Sequence, residues 1–356
     1  MLTPVTHDKV RLADTFWAPR QEVNRRITLP VEYANLLRTG QIGAWTWKRD
    51  QPRTPHIFWD SDLAKWIEAA AFSLMTHPDA ALEGRVDEVV DDMARAEAKY
   101  GYLNSHFLLV EPEKRWTNLQ DKHELYCAGH LIEGAVAYFQ ATGKRPFLDV
   151  MCRYVDHIAR TFGTGKGRKR GYCGHEEIEL ALIKLYRLLG RKSDLALARY
   201  FVDERGRKPH YFDIEARKRG EELKPDRGYD VLQAHMPVRR QKEATGHAVR
   251  AAYLYSAMAD LVAETGDRSL WQACRRLWKS IVRGRLYIHG GIGSSRFNER
   301  FTFDHDLPNE EAYAETCANI ALVFFAHRML RLDPDRQYAD VMERALYNGV
   351  VSGVSL

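Results

Sequence analysis

The chain has 356 residues, of which 45% are hydrophobic and 28% charged, with 53 basic and 48 acidic side chains and a formal net charge of +5. That balance describes a globular protein with ample material for a core, in one large domain or two, and excludes a disordered chain. A pI near 8.8 is too mild to indicate nucleic acid, and no apolar run approaches the roughly 20 residues that cross a bilayer.

The first residues, Val5 to Trp17, alternate apolar and polar and predict an extended arm or short strand over residues 1–19. They show no charged-then-apolar signal pattern. Helical periodicity takes over at Arg20–Gly40, where Pro30 predicts a break and Gly40 a stop. Asp60–His77 opens with an Asp/Ser start on an alanine-rich apolar body, and Asp79–Lys99 carries a narrow apolar stripe with an acidic outer face. Tyr100–Gln120 predicts an irregular loop rich in aromatic and amide groups.

One unit then recurs three times, opening at Gly129-His130, Gly174-His175 and Gly246-His247. Each copy has an apolar helix, a glycine stop, a charged turn and a second, more amphipathic helix. A fourth pair, from Asn309 to Gly349, lacks the Gly-His. The first helix of each pair is apolar nearly all round and therefore predicted to be buried; the second has a solvent face. Repeated pairs of this kind build an open solenoid or a closed toroid of hairpins. The fold class expected is all-α, an (α/α)6 toroid spanning residues 20–356, with about eleven helices where a closed ring of six pairs needs about twelve. Between the second and third units, Arg205–Arg227 reads as a long, solvated, charged connector, with Tyr211 and Phe212 as the residues that would make it a gate.

In such a ring the inner helices start at one end. This convergence gathers Trp59, Asp60, Asp62, Glu124, His130, His175, Glu176, Glu177, His247, Glu311, Glu315 and Cys317. A single histidine at a helix start is usually a structural hydrogen-bonder. Three in register point instead to a polar, ligand-facing ring suited to hydroxyl-rich ligands beside aromatic platforms.

The densest stretch is Gly293–Asn319. It holds six carboxylates, Glu299, Asp304, Asp306, Glu310, Glu311 and Glu315, with the thiol of Cys317 beside them. Phe297, Phe301, Phe303 and Tyr313 are available as apolar walls. Asp304 and Asp306 read as solvated loop charge. HELYC is not a HExxH zinc motif. Glu315-Thr-Cys317 places a carboxylate and a thiol two residues apart, which permits a shared metal only at a helix entry. Two ligands do not make a site, and the ordinary role for such a cysteine is a small buried apolar residue. The five cysteines, Cys127, Cys152, Cys173, Cys274 and Cys317, are odd in number, scattered and without a CxxC pair. They read as reduced thiols in a cytoplasmic protein.

The stretches FWAPRQEVNR, FWDSDLAKWIEA, GYLNSHF, RWTNL, DKHELYCAGHLIEGAVAY, GHEEIELAL and TGHAVRAAYLY, followed by Glu299 and then Glu315-Thr-Cys317, together resemble glycoside hydrolase family 127, the β-L-arabinofuranosidase family, across essentially the whole chain. The resemblance implies an (α/α)6 barrel and zinc-assisted, retaining hydrolysis of non-reducing-end L-arabinofuranosides or related sugars. It implies Glu299 as acid/base, Glu315 and Cys317 as two Zn2+ ligands, and His130, His175 and His247 as sugar contacts, with Trp59 and Asp60 added as substrate-binding candidates. A glutamate against Phe297 and Phe301 would have its proton affinity raised enough to protonate a leaving oxygen. The family's other two zinc ligands, one of them the nucleophile, are adjacent cysteines on the twelfth helix. No cysteine follows Cys317 here, so the expectation is a truncated catalytic region with half a zinc site and without the family's C-terminal β-sandwich domains.

Two other classes fit the same features. One is a metal-independent sugar epimerase or unsaturated-uronide hydrolase working with histidine and carboxylate groups. The other is a non-catalytic sugar-binding remnant, whose open seam would promote self-association into a homo-oligomer. In every case the expected partner is a small carbohydrate, with neither nucleic acid nor membrane.

Overall fold

The computed structural model describes residues 1–222 and 228–354. It is helical almost throughout, as the all-α class requires. The chain forms two compact units. The N-terminal unit comprises Val5–Lys169 and Lys184–Asp194. The C-terminal unit comprises Met1–Pro4, Arg170–Ile183 and the described residues from Leu195 onward. Among the described residues, no helix is long and apolar enough to cross a membrane.

In the N-terminal unit the first helix, α1 (Trp17–Val23), begins before Arg20. Asp14 accepts hydrogen bonds from the backbone N–H of Phe16, Trp17 and Ala18 at 3.1, 2.6 and 3.0 Å. That capping turn, rather than a strand, ends the arm. A π-helical turn over Asn24–Thr28 leads into α2 (Leu29–Thr39), so the break expected at Pro30 is a widened turn immediately before it. Then come α3 (Trp59–Thr76) and α4 (Ala80–Tyr100). Asp79 caps α4 by accepting from Ala81 and Leu82 N–H at 3.0 and 3.1 Å. The stretch expected to be an irregular loop contains the short helix α5 (Ser105–Leu109), capped by Asn104. The long helices α6 (Glu124–Thr142) and α7 (Pro146–Thr161) follow.

Helix α6 is buried on nearly every side and packs on α3. A methyl at Gly134 would lie 3.2 Å from the Ala64 carbonyl, so this glycine lets the two backbones approach closely. Leu63, Ile67, Leu131 and Ile132 fill that contact with no exposed surface, each contributing roughly 1.5–3 kcal/mol by burial.

Helices α8 (Ile178–Leu189) and α9 (Lys192–Glu204) come next, then α10 (Tyr211–Lys218). Helix α10 corrects the expectation of a structureless connector over Arg205–Arg227. Tyr211 and Phe212 are buried in it, and Arg205 itself is fully buried. The connector's last residues, 223–227, lie outside the described residues. The C-terminal unit continues with α11 (Ala248–Thr265), α12 (Arg268–Gly284), α13 (Thr316–Leu332) and α14 (Arg336–Ala345). Helix α13 packs on α11 and on α14. It starts at Thr316, later than the fourth repeat suggested, because Asn309–Ala314 runs as loop.

Candidate active site

The repeat histidines are not in register. His130 sits in the second turn of α6, which begins six residues earlier at Glu124. His175 lies in the loop before α8, and His247 is the residue immediately before α11. The early start of α6 has a tertiary cause. The Glu124 carboxylate accepts from the Trp116 N–H at 2.9 Å and from the Tyr102 hydroxyl at 2.5 Å, which fixes the helix entry there.

His130, Trp59 and Asp60 belong to the N-terminal unit. His130 is buried with its ring 4.5 Å from that of Tyr126, and burial lowers its proton affinity. Trp59 is half-buried, its ring against Gly40. Asp60 is 1% exposed. Both its oxygens accept from Ser105, at 2.8 Å from the backbone N–H and 2.5 Å from the hydroxyl. Burial pushes its pKa up to about 6.

The C-terminal unit brings together His175, His247, Glu299 and Glu315. The strands β1 (Gly246–His247) and β2 (Arg300–Phe301) pair antiparallel, with His247 opposite Arg300. Gly246 has φ +71° and lies so close to the Asp230 carbonyl that a methyl would sit 1.9 Å from its oxygen; only glycine fits there. Arg300, one residue past Glu299, pairs with the Asp230 carboxylate. Ser295 and Arg300 exchange backbone hydrogen bonds at 3.1 and 2.9 Å and close a tight loop. Inside it Asn298 and Glu299 both take left-handed backbone, φ 55° and 49°. Such strain costs about 1–3 kcal/mol per residue and clusters at functional positions.

The loop delivers the Glu299 carboxylate between two donors. His247 Nε2 lies 2.7 Å from Oε2, and the Tyr313 hydroxyl donates to Oε1 at 2.9 Å. Burial, reinforced by Arg250, lowers the His247 pKa to about 4, against the opposing pull of Glu299. The imidazole is thus neutral near pH 7, with its Nε2–H directed at Glu299. Its Nδ1 is buried without a protein partner and free to accept from a ligand hydroxyl. The His175 ring stands 5.5 Å from that of His247, nearly perpendicular, and its Nδ1 donates to the Glu176 carbonyl at 3.0 Å. Beside it Tyr253 of α11 stacks on Phe324 of α13. A cavity of about 280 Å³ opens here, lined by Val231, Leu232, His247, Arg250, Asn298 and Glu299 among others.

The Tyr313 hydroxyl also lies 3.4 Å from Glu315 Oε2. Desolvation and its bond to Glu299 push its proton affinity up, so it remains a donor. Glu315 caps α13. Half-burial and the neighbouring Glu299 charge raise its pKa. Cys317 follows in the first turn of α13 and is exposed, not the buried apolar residue its spacing suggested. The condition set by sequence, that Glu315 and Cys317 share a metal only at a helix entry, is met in their placement. They fit zinc in kind, one carboxylate and one thiol. They do not fit in number: zinc takes at least three protein ligands, and among the described residues no cluster of three His, Cys, Asp or Glu donors includes either of them.

The apolar walls foreseen for Glu299 are largely missing. Phe301 is buried, but Phe297 is 67% exposed and Phe303 72%. Asp304 is exposed loop charge beside Arg285, as expected. Sequence reasoning missed Tyr313 as the hydroxyl joining the two glutamates, having counted it only as a wall.

Sequence reasoning also missed Arg205. Its guanidinium donates to the carbonyls of Leu232 and Cys173 at 2.8 and 2.7 Å and pairs with Glu176 and Glu179 at 2.9 and 3.1 Å. It thereby ties the His175 segment to a wall of the cavity.

A helical frame that presents a carboxylate between a histidine and a tyrosine, in a polar cavity with aromatic flanks, is the kind of site a glycoside hydrolase uses. The family comparison names the class. Residues 9–356 match the model of the β-L-arabinofuranosidase GH127 catalytic domain, and the chain belongs to that family. It is 42% identical over 308 residues to a non-reducing end β-L-arabinofuranosidase of Bifidobacterium longum subsp. longum, covering 84% of this chain and 47% of that protein. Among solved structures it is similar to a GH127 β-L-arabinofuranosidase from Geobacillus stearothermophilus T6, with a TM-score of 0.94, 51% identity, 98% of this chain covered and 56% of that one. A second, a GH127 β-arabinofuranosidase, gives a TM-score of 0.89 at 39% identity, covering 99% of this chain and 55% of that one. The chain spans about half the length of the relatives it matches.

Proposed function

We propose that the chain is the catalytic region of a retaining glycoside hydrolase that removes L-arabinofuranose from non-reducing ends. The observation that carries this is Glu299 held by His247 and Tyr313 in a cavity of sugar size. The names of the relatives support the sugar.

In this reading Glu299, 41% exposed at its side chain, protonates the glycosidic oxygen as the bond to the anomeric carbon breaks. It then takes a proton from the water that completes hydrolysis. The neutral His247 donates to Glu299 through Nε2 and accepts a sugar hydroxyl at Nδ1. His175 and Tyr253 supply a polar edge and a flat face. Zinc, when bound, supplies the charge that keeps a sulfur as thiolate. Glu315 and Cys317 would contribute two donors to it. Retention also requires a nucleophile on the opposite face of the anomeric carbon from the acid.

The test is hydrolysis of an alkyl β-L-arabinofuranoside, whose basic leaving oxygen needs the proton. Glu299→Gln lowers kcat/KM by at least about 100-fold, the usual size of an acid/base contribution. A fully active Glu299→Gln variant removes the assignment.

A further inference from the structure

A second cavity, of about 640 Å³, lies in the C-terminal unit and is not used by the reaction above. It neighbours the first: Asp230 lines it, and the next two residues, Val231 and Leu232, line the cavity at Glu299. Asp230 is offset by Arg300, outside the lining, and Asp213 accepts from the neutral Tyr229 hydroxyl, so Lys208 and Arg217 leave an excess of one positive charge. The two cations on its rim, Lys208 and Arg217, are exposed and make no ion pair among the described residues.

Two histidines face the same space. His210 is 8% exposed and His235 half-buried, and each has a buried Nδ1 with no protein partner. Burial lowers the proton affinity of both, so each ring is a neutral hydrogen-bonding group. The His210 ring stacks on Tyr229 with centroids 3.8 Å apart, which holds it rigidly in the wall. Unpartnered buried nitrogens are costly unless a ligand or water meets them.

We infer that this second cavity is a subsite for the leaving-group side of the substrate and takes a hydroxyl-rich unit bearing a carboxylate, a uronate. Lys208 and Arg217 take the carboxylate, and the two imidazoles take ring hydroxyls. The location of the leaving group rests on the assignment of Glu299 as the acid; the binding chemistry does not.

The experiment is titration calorimetry on the chain with four probes: D-galacturonate, D-galactose, inorganic phosphate and L-arabinose. Galacturonate is expected to bind at least tenfold more tightly than galactose or phosphate. The double variant Lys208→Gln/Arg217→Gln is expected to weaken it at least tenfold. Both side chains are exposed, so the variant folds, and an unchanged circular dichroism melt checks this. Equal binding of galactose and galacturonate overturns the carboxylate. Phosphate binding as tight as galacturonate overturns the sugar. Galacturonate binding indifferent to the double variant overturns the site, and His210→Ala without effect in a chain of unchanged melt overturns the hydroxyl contact. L-Arabinose, tested against His247→Ala, reports separately on the Glu299 cavity. If arabinose binding fails while galacturonate behaves as expected, the acid assignment falls and the second site stands.

Discussion

Arg205 offers the sharpest test of how the candidate site is held. Its guanidinium has no exposed surface and meets four acceptors: two backbone carbonyls at 2.7 and 2.8 Å and two carboxylates at 2.9 and 3.1 Å, under the ring of Tyr172. Replacing it by methionine, unbranched and of similar reach, removes the charge but leaves Glu176 and Glu179 buried. At an effective dielectric of about 20, two unit charges about 3 Å apart attract by roughly 5 kcal/mol before desolvation is counted. Breaking a buried pair from one side costs about 3–5 kcal/mol, and each stranded carbonyl about 1–3 kcal/mol, with the contributions far from additive. The expected loss for Arg205→Met is therefore about 4 kcal/mol, a large share of the 5–15 kcal/mol that typically stabilises a domain. Equilibrium urea unfolding measures it at about pH 9, above the Glu176 pKa of about 8 so that Glu176 carries its charge in the folded state, with the m-value checked for constancy. The triple variant Arg205→Met/Glu176→Gln/Glu179→Gln should regain at least half of the loss, since no uncompensated carboxylate remains. A loss below about 1 kcal/mol for Arg205→Met, at constant m, refutes the reasoning: the cluster would then be tolerating its charges without needing the guanidinium.

Two further outcomes follow from the same unit. Burial raises the Glu176 pKa from 4.5 to about 8, against the pull of Arg205. The folded state then holds a proton that the unfolded chain releases, so stability falls as pH rises from about 4.5 to 8, by up to roughly 5 kcal/mol. Glu176→Gln should flatten that slope in urea midpoints taken across the range, and an unchanged slope would show that another group carries it. Gly246→Ala places a methyl 1.9 Å from the Asp230 oxygen at φ +71°. It should cost at least about 2 kcal/mol and, by unseating His247 opposite Arg300, weaken arabinose binding more than tenfold; calorimetry showing wild-type affinity would mean that the strand pair does not position the histidine.

What was legible in the chain was periodicity. The apolar bodies of α6 and α11 and the cap at Asp79 can be read from residues three and four apart, because a helix brings those residues together itself. The Gly-His steps at 174–175 and 246–247 mark helix approaches for the same local reason. The step at 129–130 misled, because α6 starts where Glu124 meets Trp116 and Tyr102, and a contact across 22 residues leaves no periodic trace. Arg205 shows the same limit in charge. Its sequence neighbours are Glu204, Gly206 and Arg207, and nothing in that run separates a solvated arginine from one that four acceptors enclose. Tyr313 shows it in chemistry: an aromatic among glutamates reads as a wall until the fold puts its hydroxyl 2.9 Å from Glu299. Glu299 itself needs three conditions at once, two of them non-local: the β1–β2 pairing, the Arg300–Asp230 ion pair, and two left-handed residues in succession. Each restricts a different degree of freedom of the loop: its register, its anchor and its turn. The carboxylate is therefore positioned before any ligand arrives, and the strain that this costs is met by contacts reaching back to Asp230 and His247.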